Sequence, residues 1–372
     1  MADLIELCLE ITNRCIMNCL HCSTAFPGCE EHIDELSLKE IELIISDFHA
    51  LGGKILEISG GEPTLHRNLV DIVAFAKRKG LEIRLYTCGV SYRGRCKPLN
   101  MALLKKLRSQ GLDKIIFNLQ GATSEVHDLI TKKPGSFDAL SQTIINAKKL
   151  GFWVGTHFVP MQPNANSFED ILKLAIKLGI NEVALLRFVP QGRGGINRAI
   201  LKLLSNKLWE FLKIVSQLMK KYGDRLKIRA GCPLDFLGFI DETVKISACK
   251  AGKSTCDITP SGDVIPCPAF KHFPEFVAGN IRDKNLTLIW STSEVFKEFQ
   301  KIEHQDISVC SECSKSDICK GRCPAQRVRH HGHLAIGPDP DCPGIYKVKI
   351  GPEIAKVLYP LNTADISELS IG

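Results

Sequence analysis

From residue 5 to about 225, short runs of β-branched and aliphatic residues alternate with longer segments in which apolar residues recur every three or four positions. The short runs are LIELCLEIT at 4–12, KILEISG at 54–60, EIRLYTC at 82–88, KIIFNLQ at 114–120, FWVGTHFVP at 152–160 and EVALLRFVP at 182–190. They predict six strands, and the segments between and after them predict amphipathic helices. Five helices close on a Lys- or Arg-rich last turn followed by glycine, at Gly80, Gly111, Gly151, Gly179 and Gly223. Cations suit the negative end of a helix, and glycine supplies the left-handed residue after it. At the other ends Ser37, Ser136 and Ser167 are placed to cap.

Strand and helix in regular alternation predict a parallel sheet, and six such units over residues 1–225 predict an α/β fold of the (β/α)6 partial TIM-barrel type. In parallel α/β folds the chemistry collects where strands end, and the unusual residues lie there. Cys15 to Cys22 follow strand 1, Ser59-Gly60-Gly61-Glu62-Pro63 closes strand 2, Thr87-Cys88-Gly89 closes strand 3, and Asn118-Leu119-Gln120-Gly121 closes strand 4. Beyond residue 225 the periodicity fades. Residues 226–348 read as a small loop-rich, cysteine-rich domain stapled by metal rather than by a large apolar core, and 349–372 as a tail without motif.

Sixteen cysteines change the picture most. The start lacks a basic region followed by an apolar stretch, and no run of about 18 apolar residues occurs, so the expected setting is cytoplasmic, without membrane contact. A reducing compartment disfavours disulfides, and grouped cysteines there point to metal. The formal charge of +7 falls to about +2 if eleven thiolates hold three [4Fe–4S] clusters. No basic stripe interleaved with aromatics is present, and no nucleic-acid partner is expected.

In CIMNCLHC, Cys15, Cys19 and Cys22 have a spacing that wraps three thiolates round one iron–sulfur cube and leaves the fourth iron open. The spacing alone also admits a Cys3His zinc site that includes His21. Joined to SGGEP one strand later, the motif resembles the signature of the radical S-adenosylmethionine superfamily. The resemblance implies that the open iron chelates S-adenosylmethionine and that Gly60, Gly61, Glu62 and Pro63 serve its methionyl amino group. It implies reductive cleavage to a 5′-deoxyadenosyl radical that takes hydrogen from substrate.

A second set, Cys249, Cys256, Cys267, Cys310, Cys313, Cys319, Cys323 and Cys342, resembles the SPASM extension of that superfamily, with Thr259-Pro260-Ser261-Gly262-Asp263 as a hairpin turn presenting Cys267. Eight thiolates complete two four-ligand clusters; two zinc knuckles are the other chemistry open to them. The resemblance assigns Cys249, Cys256, Cys267 and Cys323 to the first auxiliary cluster and Cys310, Cys313, Cys319 and Cys342 to the second. The expected cofactors are thus S-adenosylmethionine and three [4Fe–4S] clusters.

Other positions carry weaker signals. Cys88 sits at a strand end where a thiol can donate hydrogen, although packing accounts for most buried cysteines. Cys8 reads as core; Cys29, Cys96 and Cys232 carry no assignment. Asn118 and Gln120 stand where related enzymes place Ser and Asp toward the cofactor, Lys132 or Lys133 supplies a point charge for its carboxylate, and Arg187 is the better-placed arginine. RVRHHGH at 327–333 reads as a solvated loop whose charge offsets nearby thiolates.

The resemblance implies a maturase that forms a carbon–sulfur or carbon–carbon cross-link in a ribosomally made peptide or protein. Its partners would be that substrate, an electron donor such as flavodoxin or ferredoxin, and a separate leader-binding protein. The alternatives are a formylglycine-forming oxidation like that of anaerobic sulfatase maturation, and a non-catalytic iron–sulfur carrier or scaffold.

Overall fold

Alternation along the first strand sets the layout. In β1 (Glu6–Glu10) Leu7 and Leu9 are fully buried in the apolar core, while Glu6, Cys8 and Glu10 take the opposite face. The computed structural model, which describes residues 3–24, 34–231, 235–241, 243–244, 248–314 and 316–342, repeats this division in the second and third strands. Following β1 come β2 (Ile55–Ser59), β3 (Glu82–Thr87), the hairpin β4 (Val90–Tyr92) and β5 (Cys96–Pro98), β6 (Lys114–Asn118), β7 (Trp153–Phe158), β8 (Glu182–Leu185) and β9 (Lys227–Ala230). The chain then adds β10 (Thr255–Ile258), β11 (Asp263–Ile265) and β12 (Gly279–Asn280). The main sheet runs β12-β11-β10-β1-β2-β3-β6-β7-β8-β9, parallel from β10 through β9 and antiparallel across β11 and β12.

Helices cover its apolar face: α1 (Leu38–Ala50), α2 (Leu69–Arg78), α3 (Met101–Ser109), α4 (Ser124–Thr131), α5 (Ser136–Lys149) and α6 (Phe168–Lys177). Two short helices, α7 (Arg193–Ile196) and α8 (Arg198–Leu201), precede the long α9 (Ser205–Tyr222). Then follow α10 (Leu286–Thr292), α11 (Glu294–Lys301), α12 (Ser316–Cys319) and α13 (Pro324–His331). One core of aliphatic and aromatic side chains extends from Leu4 to Phe296, as expected for a sheet with helices packed on one side.

The architecture is the expected α/β partial barrel, with more strands than the pattern shows. The six predicted strands form, and β9 and β10 extend the parallel sheet beyond them on either side. The expected turn joins β10 to β11, with Thr259 N–H donating to Asp263 O at 2.9 Å and Gly262 at φ 92°. The described residues fall into two compact units, one drawn from 1–245 and 250–301, the other from 246–249 and 302–372. None of their helices is long and apolar enough to cross a membrane.

Several local expectations are corrected. Ser37 caps α1 in a full capping box with Glu40, but Ser136 is the first helical residue of α5 behind Gly135, and its hydroxyl donates instead to Asp128 Oδ1 at 2.7 Å. Ser167 makes no cap bond and donates to Asn164 O at 2.8 Å. Gly80, Gly111, Gly151 and Gly179 are left-handed, whereas Gly223 is helical at φ −59°. Cys8 is not in the apolar core: it lies on the opposite face from Leu7 and Leu9, paired in register with Asp257 of β10. The segment 327–333 is not a solvated loop, because Arg327 and Val328 are buried in α13. Cys29, Cys232 and the tail 349–372 lie outside the described residues.

Candidate metal and cofactor site

The loop carrying Cys15, Cys19 and Cys22 is fixed from three sides. Beneath it, Gly61 N–H donates to Thr12 O at 2.6 Å and Glu62 N–H to Arg14 O at 2.7 Å. Gly60, at φ 133°, and Gly61 approach so closely that a Cβ would lie 2.4 Å from Thr12 O and 2.3 Å from Arg14 O. The two glycines are therefore required by the cysteine loop itself: any side chain would push it off the sheet. On a second side, the last carbonyls of α4 receive the loop, with Leu20 N–H donating to Ile130 O at 2.8 Å and Asn18 N–H to Thr131 O at 3.3 Å. On a third, Arg193 Nε donates to Cys19 O at 3.0 Å, Asn197 Nδ2 to Leu20 O at 3.2 Å and Gly194 N–H to Cys22 O at 3.2 Å.

Glu62, fully buried, ties strand end to strand end. Its Oε1 accepts from Thr87 Oγ1 and Thr64 Oγ1 at 2.6 Å each, and its Oε2 accepts from Cys88 N–H at 2.8 Å. A carboxylate so satisfied holds β2, the SGGEP turn and β3 in one geometry. Pro63 starts the 3-10 turn after it, where its missing N–H costs nothing.

Within the loop the three thiols sense one another. Burial and then the Glu62 carboxylate push the Cys15 thiol up to about 12; burial and the two neighbouring cysteines push Cys19 higher as well. Arg193 pulls both down and is outweighed. Thiolates here therefore need a bound cation, as a soft metal group supplies. His21, brought to about 4 by burial together with His127 and Arg193, is neutral, and its buried Nδ1 has no hydrogen-bond partner among the described residues. The donor set and this orphaned nitrogen fit an iron–sulfur cluster with a further ligand beside it. No three His, Cys, Asp or Glu groups among the described residues converge as a single-ion site.

The remaining predicted positions ring the same strand ends. Cys88 follows β3, and its Sγ donates weakly to Val90 O at 3.7 Å. Asn118 ends β6. Gln120 is fully buried and its amide is used between strands, Oε1 accepting from Val159 N–H at 3.1 Å and Nε2 donating to Asn118 Oδ1 and His157 O. Arg187 is buried two residues beyond the end of β8. Lys132 takes the left-handed position after α4 and Lys133 stacks over Tyr92 at 3.7 Å.

Of the second set, Cys256 lies in β10 and packs in the apolar core, and Cys267 follows β11. Cys249 and Cys323 belong to the other unit, as do Cys310, Cys313, Cys319 and Cys342. There Cys310 is raised to about 12 by burial and by Cys319, Cys342 and Cys313, which places these four thiols in one electrostatic neighbourhood; Arg327 opposes the rise. Arg327 is buried, donating from Nε to Leu334 O at 2.9 Å and from a terminal nitrogen to Gly321 O.

Arg193 and Asn197, which hold the loop, carry no sequence signal of their own. Thr87, which bonds Glu62, lies in the strand-end motif Thr87-Cys88-Gly89.

Comparison with known proteins agrees with this geometry. Residues 9–175 match the radical SAM superfamily model and residues 249–314 the SPASM iron–sulfur cluster-binding domain. A mycofactocin maturase, MftC, of Mycolicibacterium smegmatis is 28% identical over 365 residues, covering 93% of this chain and 86% of the relative. The PqqA peptide cyclase of Methylocella silvestris is 28% identical over 91% of this chain and 87% of its own. An AdoMet-dependent heme synthase of Oleidesulfovibrio alaskensis reaches 28% over 88% and 85%. Among solved structures, Streptococcus suis SuiB bound to precursor peptide SuiA shares the fold, with a TM-score of 0.75 at 17% identity over 92% of this chain and 76% of that one. The chain carries a radical SAM domain at residues 9–175 and a SPASM iron–sulfur cluster-binding domain at residues 249–314.

Proposed function

We propose that the protein is a peptide maturase that joins two positions of a ribosomally made peptide or protein through a carbon–sulfur or carbon–carbon bond. The observation that carries this is the similarity, over 93% and 91% of the chain, to a mycofactocin maturase and a PqqA peptide cyclase, combined with a strand-end site built round Cys15, Cys19 and Cys22. These cysteines would hold a [4Fe–4S] cluster, Cys310, Cys313, Cys319 and Cys342 a second, and the remaining SPASM cysteines a third. When bound, the first cluster and S-adenosylmethionine supply a 5′-deoxyadenosyl radical that takes hydrogen from the substrate.

The chain's own residues do the positioning. Gly60 to Pro63 would receive the methionyl amino group, and Glu62 keeps that turn in register with Thr87 and Cys88. Asn118, Gln120 and Arg187 would complete the cofactor's surroundings, Gln120 through its neighbours because its amide is already bonded. Cys88, half-buried beside Cys15 and Glu62, is the thiol best placed to face the reacting carbon. An external one-electron donor such as flavodoxin or ferredoxin and a leader-binding protein would be the partners.

The test is anaerobic reconstitution with iron, sulfide, S-adenosylmethionine and reductant, then incubation with candidate peptides. The expected products are 5′-deoxyadenosine and a peptide lighter by two hydrogen atoms. Absence of 5′-deoxyadenosine would leave a non-catalytic carrier. A second reading rests on the equally similar heme synthase: 5′-deoxyadenosine formed only with a tetrapyrrole would favour it.

A further inference from the structure

The hairpin that follows β3 plays no part in the site described above, yet it rises from the same strand end. β4 and β5 pair antiparallel, with Tyr92 opposite Cys96. The exposed tip Arg93-Gly94-Arg95 closes with Arg93 N–H donating to Arg95 O at 3.2 Å and Gly94 at φ 73°. One buried hydroxyl fixes both feet of the hairpin to α5: Thr143 Oγ1 donates to Gly89 O at 2.6 Å and accepts from Leu99 N–H at 2.9 Å.

The charge of this element is one-sided. Between Glu82 and Asp113 the sequence has no carboxylate, and Arg93, Arg95 and Lys97 are exposed. Lys133, from the turn after α4, adds a fourth cation, its ammonium 3.7 Å from the centre of the Tyr92 ring. Carboxylates on α4 and α5 leave these cations uncompensated: Asp128 accepts from Gly135 N–H, Ser136 Oγ and Phe137 N–H, Glu125 from Ser124 Oγ, and Asp138 stands in the first turn of α5. Among the described residues none of the four cations forms an ion pair. Clustered charge of one sign steers a partner of the other.

A short route leads from the hairpin to the cysteine loop. Cys88, two residues before β4, donates its N–H to Glu62 Oε2 at 2.8 Å, and Glu62 N–H donates to Arg14 O at 2.7 Å, next to Cys15. Two hydrogen bonds and a few covalent bonds thus connect the foot of the hairpin with the first cysteine.

We infer that the hairpin tip docks an acidic one-electron carrier protein, its carboxylates on Arg93, Arg95 and Lys97. The inference deepens the proposed function and rests on it, since that reading needs one electron from outside for each cleavage of S-adenosylmethionine. One electron leaves the anionic flavin hydroquinone of a flavodoxin, which becomes the neutral semiquinone, and passes to the [4Fe–4S] cluster proposed at Cys15, Cys19 and Cys22, lowering its charge by one; no proton moves. A carrier must depart after each delivery, and charge without apolar anchors gives fast, weak, salt-sensitive encounters. A substrate peptide is held by apolar anchors, whereas Tyr92, the aromatic residue of the hairpin, has its ring covered by Lys133.

The experiment uses the reconstituted holoenzyme and a flavodoxin of net negative charge. Binding of oxidised, fluorescein-labelled flavodoxin is read by fluorescence anisotropy, and 5′-deoxyadenosine formation is read with either photoreduced flavodoxin or dithionite as reductant. The wild type is expected to bind, less tightly as salt rises. Arg93→Glu/Arg95→Glu is expected to lose about tenfold or more in flavodoxin affinity and in flavodoxin-driven rate at limiting carrier, with the dithionite-driven rate unchanged. Lys97→Glu alone should show a smaller loss of the same kind. Lys177→Glu, exposed in the last turn of α6 and so at the other end of the parallel sheet, is expected to match the wild type in every readout. Unchanged affinity in both hairpin variants, an equal loss in Lys177→Glu, an equal loss with dithionite in both hairpin variants, or no binding would each overturn the inference. Hairpin variants that keep flavodoxin but lose a polyglutamate peptide would make the hairpin a peptide site and overturn it too. Missing 5′-deoxyadenosine with dithionite in the wild type strikes the proposed function, while the binding measurement judges the hairpin separately.

Discussion

The barrel end and the cysteine run of the second unit present thiols on different kinds of support. In the barrel, Cys15, Cys19 and Cys22 stand on a sheet whose core continues through the whole unit, and their loop is bonded to β2, α4 and the segment after β8. In the second unit the fully buried apolar side chains are few, among them Ile307, Ala325, Val328 and Leu334, and the buried charged groups Arg322, Arg327, Asp339 and Asp341 lie among them. The backbone also differs. Of the four non-glycine residues with positive φ among the described residues, Val309, Lys320 and Arg322 fall in or beside the cysteine run, and a β-branched residue at φ 69° is costly. The contrast separates a site whose shape the fold imposes from one whose shape its ligands impose.

Removing the metal breaks that comparison most directly, and the effect should be the largest. Anaerobic chelation of the reconstituted protein is expected to raise amide exchange across 302–342 by roughly a hundredfold or more, since binding energy there is folding energy. Amides of β2, β3 and β6 should keep their protection. Hydrogen exchange read by mass spectrometry decides it: protection retained in both regions would show that the second unit needs no ligand to hold its shape.

Next in size is Gly61→Ala. The added Cβ would meet Arg14 O at 2.3 Å, so the cysteine loop must move while the sheet below stays. A displacement of about an ångström at a reacting centre costs on the order of a hundredfold in rate. The expected outcome is a rate of 5′-deoxyadenosine formation down about a hundredfold, with thermal unfolding little changed. Unfolding that fell in step with activity would mean that the glycine serves stability instead.

How much of this was legible in the sequence follows the same division. The strand-end motifs were readable because local residues create them: three cysteines at fixed spacing, and two glycines before Glu62. The six central strands were readable because each carries a run of alternating or aliphatic residues between capped helices. β9 was not, since in KIRA only Ile228 is buried and four residues show no period. β10 joined the sheet unannounced because its partner β1 lies some 250 residues away in the chain. Arg193 and Asn197 escaped for the same reason: they act on carbonyls 174 and 177 residues distant. Cys8 and Asp257 stand opposite each other across β1 and β10, a pairing that no local pattern could show. RVRHHGH was mistaken for a loop because its charges hid a helix whose Arg327 brackets Gly321 and Leu334.

The barrel end's dependence on its own hydrogen bonds sharpens the comparison further through acid. His127, buried in α4, accepts from Gln120 N–H at its Nδ1 at 3.2 Å, so it must be neutral there, and burial brings it to about 4. Its folded value lies below the unfolded one near 6.5, so the unfolded chain binds the proton more readily. Stability is full above about pH 6.5 and is lost as pH falls toward 4, with a slope approaching about 1.4 kcal/mol per pH unit. In His127→Gln, which keeps an acceptor and removes the titration, that part of the slope should vanish from denaturant unfolding measured between these values. An unchanged slope would assign it to other groups.

The smallest expected effect concerns Lys132. Among the described residues it is the non-glycine residue with positive φ that lies in the barrel unit, at φ 54° after α4 and directly beside the carbonyls of Ile130 and Thr131 that hold the cysteine loop. In the second unit left-handed residues sit among thiols, where ligation would account for their strain. Lys132 has no such cause in the backbone round it, so glycine should accept the position without disturbing the loop. Lys132→Gly relieves about 1 kcal/mol or more of left-handed strain and gives part of it back through the freer unfolded chain. The net expectation is a gain of about 0.5–1 kcal/mol in unfolding free energy, with KM for S-adenosylmethionine unchanged. A raised KM with kcat intact would instead make Lys132 the point charge for the cofactor's carboxylate. The strain at this residue would then have the same origin as in the second unit, a ligand holding the chain where its own preferences would not.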